Sequence, residues 1–262
     1  MNLTVIRKDG TVYDLNNLGI KTLDFIVSSP EYRNHYEEVE GADGVLDLGT
    51  TIGARNLSGK FVFSADDIMN YTKMRNEVFR IFLSKESFYL IDDREPNRRW
   101  EVKCNTTFKP DQILHHGLFE LDFICAKGLA ESVNTSLETQ IVQVSGSPIV
   151  KYKHTTTSFE ILNDGDETVN PRKFPLVITY KGDSTNLKIK NVTTGDEWSY
   201  TGSSTTSNTI VLDGIRSTKS GLSIFRNTNH KLITLAPGWN EFVLTGTSGA
   251  FEITFDFRFY TI

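Results

Sequence analysis

Cysteine is scarce in this chain of 262 residues, which contains only Cys104 and Cys125. Long apolar runs are also missing, because no stretch approaches the roughly 20 residues that a membrane-spanning helix needs. The first ten residues, MNLTVIRKDG, lack the charged start and the apolar centre of a secretory signal peptide. These absences predict a chain without a membrane anchor that is made in a cytoplasm. In that reducing compartment we expect no disulfide and interpret both cysteines as small buried apolar residues.

Motifs that carry catalytic or metal chemistry are missing as well. The sequence contains no HExxH, no paired CxxC, no GxxxxGK[ST] and no GxSxG. His115 and His116 are adjacent, so on a strand they should point to opposite faces and could not bind one metal together. Acidic residues are too abundant for a glycosidase pair to be singled out. The sequence therefore assigns no catalytic, cofactor-binding or metal-binding residue, and it predicts a protein that is not an enzyme.

Negative charge is concentrated in the first half of the chain. Residues 1–131 contain 16 Lys and Arg against 21 Asp and Glu, whereas residues 132–262 contain 12 of each kind. Much of the excess lies in EYRNHYEEVEGADGVLDLG, residues 31–49. A net acidic half does not bind nucleic acid by counterion release, which needs clustered Lys and Arg. An acidic surface could still face DNA and keep it from adhering.

The first half of the chain is predicted to contain strands and one helix. Aromatic residues make up 11% of the sequence, which is enough for a buried core. LTVIRKDGTVYDL reads as a hairpin around Asp9-Gly10, and IKTLDFIV reads as a further strand. In residues 64–85, apolar residues recur every three or four positions, which predicts an amphipathic helix of about five turns with its stripe in the core. Ser64 and Asp67 resemble a capping box. The stripe consists of Ile68, Tyr71, Met74, Val78, Ile81 and Phe82.

Residues 88–103, FYLIDDREPNRRWEVK, combine apolar and charged residues around a Pro-Asn pair. Pro96 and Asn97 are typical of a turn, so the stretch is predicted to be a hairpin whose charged tip faces water. The alternative is that Arg94, Arg98 and Arg99 contact another protein. A catalytic role has no support in the sequence.

A change of composition separates two predicted domains, residues 1–131 and 132–262. The segment AKGLAESVNTSLETQIVQVSGSPIV lacks aromatic residues and ends in Ser-Gly-Ser-Pro, so we expect a linker within residues 127–148. After it come SFEILND, FPLVITYKG, LKIKNVTTG, EWSYTG, NTIVLDG, LSIFRN, NEFVLTG and FEITFDFRFYTI. About eight short strands with regularly spaced turns predict an antiparallel β-sandwich or jelly roll.

The order of these segments resembles that of a known family. In the first half, a hairpin, one amphipathic helix and SFYLIDDREPNRRWEVKC are followed by FELDFICA and AES. The second half contains NDGD, FPLVITYKG, LKIKNVTTG and PGWNEFVLTGTSG. In this order they are similar to the distal tail protein (Dit) family of siphophages and prophages of Gram-positive bacteria. The resemblance extends over essentially the whole chain and rests on the order and spacing of short segments.

The resemblance implies a mainly β structural hub in the virion, at the distal end of a phage tail. Its N-terminal β-sandwich-like domain with one α-helix would form a homo-hexameric ring, and its C-terminal domain would be a galectin-like or carbohydrate-module-like β-sandwich. Implied partners are the tail tube protein, the tape measure protein, a tail-associated tip protein and a receptor-binding protein. DNA would pass through the ring without specific binding, and no cofactor is implied. We expect residues 1–131 to carry the self-association surface and residues 145–262 to fold without it.

Two other functions compete with the hub. The C-terminal domain could be a carbohydrate-binding module for host cell-wall glycan, in which Trp198, Tyr200 and Trp239 stack on sugars. In a β-sandwich such aromatic residues more often belong to the core, and a galectin-like fold does not by itself confer sugar binding. A tail-associated glycan hydrolase would need an acid pair that the sequence does not reveal.

Overall fold

The computed structural model describes residues 1–41, 43–138 and 151–262. The fold is mainly β, as predicted. Two compact units comprise Met1–Val133 and Asn134–Thr261. The first part of the predicted linker contains a strand, Ala130–Ser132, that pairs with Arg98 and Arg99, and residues 139–148 lie outside the described residues.

The elements of the first unit begin and end as follows. It contains a 3-10 turn at Asn16–Leu18, β1 (Leu3–Ile6), β2 (Val12–Asp14), β3 (Ile20–Val27), β4 (Tyr32–Glu37), β5 (Leu46–Ile52), β6 (Arg55–Ser64), α1 (Tyr71–Phe82), β7 (Phe88–Asp92), β8 (Arg98–Cys104), β9 (Asp111–Ile113), β10 (His116–Cys125) and β11 (Ala130–Ser132).

The sheet of this unit is antiparallel, with the strand order β2-β1-β7-β8-β10-β6-β3. Strands β9 and β11 lie beside β10 and β8, and β4 and β5 form a separate two-stranded sheet. Both predicted hairpins are confirmed: β1 pairs with β2 around the Asp9-Gly10 turn, and β7 pairs with β8. Alternate residues of β6 and β10 are buried, which places their phenylalanines on one face.

Helix α1 covers that face. Its buried residues are Tyr71, Val78, Ile81 and Phe82, which confirms the core assignment for this part of the stripe. The Phe82 ring lies 5.2 Å from that of Phe61 and 6.0 Å from those of Phe119 and Phe123. The helix thus closes an aromatic core.

The predicted start of the helix is wrong. Ser64 is the last residue of β6, because its pairing with His116 extends the sheet to that point. Asp67 Oδ1 accepts a hydrogen bond from the backbone N–H of Asn70 at 2.8 Å, and the helix begins only at Tyr71. Ile68 lies before the helix and is exposed. The helix therefore has 12 residues and about three turns.

A charged network lies on the face of β8 opposite the core. The Glu101 carboxylate accepts hydrogen bonds from Lys8 Nζ at 2.6 Å and Ser87 Oγ at 2.8 Å, and it lies 2.7 Å from Lys127 Nζ. Burial alone would raise the pKa of Glu101, but the hydrogen bonds from Lys127, Lys8 and Ser87 lower it to about 2. Glu101 therefore remains ionised far below neutral pH and ties three segments together.

In residues 134–138 and 151–261, the second unit contains a 3-10 turn at Phe225–Asn227 and otherwise strands. They are β12 (Lys153–His154), β13 (Ser158–Asn163), β14 (Leu176–Asn191), β15 (Glu197–Ser199), β16 (Ser203–Ser204), β17 (Thr209–Asp213), β18 (Arg216–Lys219), β19 (Leu222–Ser223), β20 (Gly238–Phe257) and β21 (Tyr260–Thr261).

Two long strands organise this unit, whose strand order is β12-β20-β14-β17-β18-β19. Strand β13 also pairs with β20, and β15 and β16 pair with β14. The predicted strands FPLVITYKG and LKIKNVTTG are the two halves of β14, which continues through register shifts after Gly182 and Ser184. Similarly, NEFVLTG and most of FEITFDFRFYTI form β20. The predicted strand LSIFRN is wrong beyond Ser223, since Phe225–Asn227 is a 3-10 turn.

No helix in the described part of the chain is long and apolar enough to span a membrane.

Replacement of Phe82 tests the aromatic core. Phe82→Ala should lower the free energy of unfolding by about 3–5 kcal/mol, because the ring is fully buried among three other phenylalanines. Urea unfolding followed by tryptophan fluorescence measures the change. Leu83→Ala is the control, since Leu83 is the next residue and is 51% exposed. A loss below about 1 kcal/mol in Phe82→Ala would show that this face of α1 does not pack in the core.

Replacement of Glu101 tests the charged network. Its folded-state pKa of about 2 lies below the ordinary value of 4.5, so its stabilising contribution is complete above pH 4.5 and disappears as the pH falls towards 2. Glu101→Gln should lower the unfolding free energy at pH 7 by roughly 1–3 kcal/mol, and this difference should shrink in acid. Urea titrations at several pH values measure both effects. Glu120→Gln, which removes the exposed partner of Lys60, should change little. An unchanged difference between pH 7 and pH 2 would contradict the assignment.

Candidate functional site

The charged residues of the β7–β8 hairpin bind within their own unit. Arg94 Nε donates to Asp92 Oδ2 at 2.8 Å, and Arg94 Nη2 donates to the carbonyl oxygen of Phe25 at 3.0 Å. The pKa of Asp92 is lowered, because the hydrogen bonds from Arg94 outweigh the effect of burial, which raises it. Arg98 Nη1 lies 3.9 Å from Glu95 Oε1. The hairpin tip is exposed as predicted, and its arginines stabilise the turn.

Arg99 differs from Arg94 and Arg98, because its side chain is largely buried. It lies in β8, and its Nη2 donates to Glu131 Oε1 at 2.7 Å, with side chains only 14% and 6% exposed. Its guanidinium group also stacks on the Tyr89 ring at 3.9 Å, and Lys8 Nζ lies 4.1 Å from the same ring. Arg99 is therefore part of the charged network of the sheet.

The two adjacent histidines do not point to opposite faces, so that prediction is wrong. Their ring centroids are 4.0 Å apart. Leu114 has a φ of 55°, and His115 still belongs to the turn before β10, so the alternation of a strand begins only at His116. His116 Nδ1 lies 2.7 Å from Ser64 Oγ. Within residues 1–41, 43–138 and 151–262, no group of three or more His, Cys, Asp or Glu side chains could hold a metal ion.

The two cysteines are free thiols that lie in or near the first core. Cys125 is fully buried and Cys104 is half-buried. Burial raises the pKa of both thiols, so neither is activated as a nucleophile.

Of the three aromatic residues considered for sugar binding, only one faces solvent. Trp198 and Tyr200 are buried, and Trp198 Nε1 donates to Ser217 Oγ at 3.2 Å. Trp239 is 38% exposed at the start of β20, where it pairs with Leu162 of β13. Glu241 is the next exposed residue on β20, and it pairs with Glu160.

An exposed apolar surface of the first unit is a hairpin that sequence reasoning missed. We call residues 32–41 and 43–52 the acidic ribbon; β4 and β5 pair there from Tyr32–Ile52 to Glu37–Leu46. All of β4 is exposed, as is β5 up to Thr51. The exposed apolar residues are Tyr32, Tyr36, Val39, Val45, Leu46 and Leu48. The available signal was the pair of short β-type runs, YRNHYE and LDLGTTI, on either side of the sequence Gly-Ala-Asp-Gly.

A second exposed surface is formed by helix α1 and its two ends, which we call the helix face. Its cations are Lys73, Arg75, Arg80 and Lys85. Arg80 pairs with Glu77 of the same helix at 2.6 Å. Met69 precedes the helix with 89% exposure, and Leu83 follows it with 51% exposure. Asp66, Asp67 and Glu86 flank the helix and are exposed, so this surface carries charges of both signs beside exposed apolar side chains.

Comparison with known proteins gives a family match for the first unit and similar solved structures for the whole chain. Residues 8–125 match the phage tail protein RIFT-related domain family. No curated protein matches the chain. Among solved structures, the chain is similar to the Dit protein of phage SPP1, described as a paradigm of the hub adsorption apparatus in phages that infect Gram-positive bacteria. The TM-score is 0.70 with 14% identity, over 98% of this chain and 99% of that chain.

Two structures of the phage P2 baseplate in its activated conformation also match. The structure with Ca gives a TM-score of 0.51 at 11% identity, and the structure with Sr gives 0.51 at 10% identity. Each match covers 98% of this chain and 97% of the other. At these identities the structures show a shared fold. Residues 8–125 therefore match the phage tail protein RIFT-related domain family, and the chain shares its fold with the Dit protein of phage SPP1, which confirms the resemblance seen in the sequence.

Proposed function

We propose that this protein is a structural hub of a phage tail tip or baseplate. In this proposal the first unit forms a homo-hexameric ring that joins the tail tube to the tail-tip and receptor-binding proteins, and the chain performs no catalysis. The observation that carries the proposal is the fold correspondence with the SPP1 Dit protein over 98% of this chain, combined with the phage tail family match of residues 8–125. Its location is accordingly the distal end of the tail in the virion.

The charge of the first half supports passage of DNA through such a ring. Residues 1–131 contain the whole net charge of −5. A bore lined with like charge repels the duplex and prevents adhesion during transit. Proteins that bind DNA nonspecifically use the opposite arrangement, with clustered Lys and Arg.

The second unit is proposed to be the galectin-like outer domain. Its hydrogen bonding supports a self-contained sandwich: the buried Asn191 side chain donates to Asn240 Oδ1 at 3.0 Å and to the Thr234 carbonyl at 2.8 Å. Asn240 in turn donates to the Ala236 carbonyl at 2.8 Å. These fully paired amides fix the loop before β20 inside this unit.

One observation favours a second function, glycan binding by the second unit. Trp239 presents part of its ring to solvent. Glu241 lies two residues further along β20, and Glu160 of β13 pairs with it. An exposed indole beside carboxylate acceptors is a combination that can stack on a sugar and bind its hydroxyl groups. Trp198 and Tyr200 cannot contribute, because both are in the core.

Electron microscopy tests the hub. The purified full-length chain should form rings with a central hole in negative stain, and light scattering should give the mass of six chains of 29.6 kDa each. A chain that remains monomeric at its highest soluble concentration, with no rings on the grid, would overturn the hexameric hub.

Glycan binding is tested separately with Trp239→Ala. If the second function holds, the chain binds cell-wall glycan on an array, and Trp239→Ala weakens binding severalfold because the stacking surface is lost. Val243→Ala is the matched control, since Val243 lies on the same strand with the same 38% exposure but has no aromatic ring. Absence of binding by the unaltered chain, or equal loss in both variants, would exclude this function for Trp239.

A further inference from the structure

We propose that His154 is a pH-sensitive latch that holds β12 on the edge of β20 and releases it in acid. Strand β12 is the short edge strand of the second unit, in which Lys153 pairs with Thr254 and His154 pairs with Ile253. The latch lies within this unit, so it does not depend on the proposed ring. It consists of the packed His154 ring, the charges around that ring and the contacts that β12 makes with β20.

The first observation is that the His154 ring packs on the aromatic core of the second unit. It stacks on the Phe159 ring at 4.2 Å with an interplanar angle of 13°. Phe159 in turn stacks on Phe242 at 5.6 Å and meets Phe255 edge-on at 5.8 Å. His154 is therefore the outermost ring of an aromatic stack, and the ring is half-buried.

The second observation is that the neutral ring already has a hydrogen bond. His154 Nε2 lies 2.9 Å from the Lys151 carbonyl oxygen, and because a carbonyl oxygen only accepts, Nε2 carries a proton and donates it. A second proton would lie on Nδ1, which has no hydrogen-bond acceptor among the residues that the structure describes. Protonation would therefore place a cation on the aromatic stack without a protein partner for the added N–H.

The third observation is that the charges around the ring do not favour a cation. Its neighbours on β12 and just before it, Lys153 and Lys151, are both basic. Glu252 of β20 is bound to Lys153 at 2.7 Å, and Glu160 of β13 is exposed. Paired residues share a face of the sheet and neighbouring residues alternate, so these carboxylates lie on the outer face and His154 on the core side.

These surroundings lower the pKa of His154. Burial is the largest cause, the hydrogen bond to the Lys151 carbonyl opposes it in part, and the charge of Lys151 lowers the pKa further. A histidine whose pKa falls below 6.5 on folding stabilises the fold most when it is neutral, so its contribution is complete above pH 6.5. This contribution is lost as the pH falls through the folded-state pKa.

The effect of acid is confined to a small part of the sheet. Tyr152 is buried and its OH donates to the Leu162 carbonyl at 3.0 Å, which anchors the residue just before β12. The Phe255 N–H donates to the Tyr152 carbonyl at 2.9 Å, so this bond reports whether the strand remains in place. A two-residue edge strand opens at a lower free energy than the long strands beside it. Acid therefore opens β12 and uncovers one face of Phe159 while the rest of the unit stays folded.

The His154 titration is the first test. Exchange of the C2 hydrogen of each histidine, followed by mass spectrometry on the full-length chain, gives the pKa of His154 from the peptide that contains it. The expected pKa lies below 6.5, because the packed ring resists protonation. A measured pKa at or above 6.5 would overturn the latch. The measurement uses the unaltered chain, so it decides the question even if a variant does not fold.

Amide hydrogen exchange tests the opening of β12. The protection of peptide 251–257, corrected for the intrinsic pH dependence of exchange, should fall severalfold between about pH 7.5 and about pH 5. His154→Phe retains a ring that can stack on Phe159 but cannot take up a proton, so its protection should be the same at both pH values.

The matched control is His230→Asn. His230 also stacks on a phenylalanine, Phe225 at 4.3 Å, but it is exposed, and asparagine tolerates its φ of 59°. This variant should lose protection in acid as the unaltered chain does. Equal protection at both pH values in the unaltered chain would overturn the latch, as would an acid-induced loss that persists in His154→Phe. A simultaneous loss of protection throughout β14 would show that the whole unit unfolds, which also contradicts a local latch.

Discussion

The antiparallel pairing of β6 with β10 fixes most of the first unit. Ten consecutive pairs extend from Arg55–Cys125 to Ser64–His116. Because neighbouring residues of a strand face opposite sides, a slip of one residue would turn Phe61 and Phe119 from the core into solvent. The phenylalanines therefore hold the register that buries them, and helix α1 can close the core only while that register is kept.

The two ends of this ladder also place the two exposed surfaces of the first unit. At one end, β6 begins three residues after the acidic ribbon, and the chain after β10 returns to lock the root of the ribbon through Gly128. At the other end, Ser64 leads into the segment that starts α1. Ten residues of strand span about 30 Å, so one rigid element separates the root of the ribbon from the start of the helix.

Local patterns in the sequence predicted the elements whose stability is local. The hairpin at Asp9-Gly10 has a turn that only a few residue pairs favour, and the stripe from Tyr71 to Phe82 has a clear helical period. Pairing with distant strands decided the rest. Ser64 has a side chain that could cap a helix, yet its pairing with His116 of β10 makes it part of the sheet. Strand β14 continues past Gly182 because β20 pairs with it on both sides of the register shifts, which no short window of sequence reveals.

The candidate surfaces were harder to predict for a related reason. A catalytic site can be recognised by its residue types, because catalysis needs particular groups with perturbed pKa values in a cleft. Here the carboxylate with the most strongly lowered pKa, Glu101, is held by three partners on a sheet face, so its perturbation reports structure. An assembly surface is recognised by what the fold leaves uncovered, and that is known only after the core has been assigned. The ribbon has the composition of a strand pair, and only the absence of a covering layer in its own unit distinguishes it from a part of the sheet.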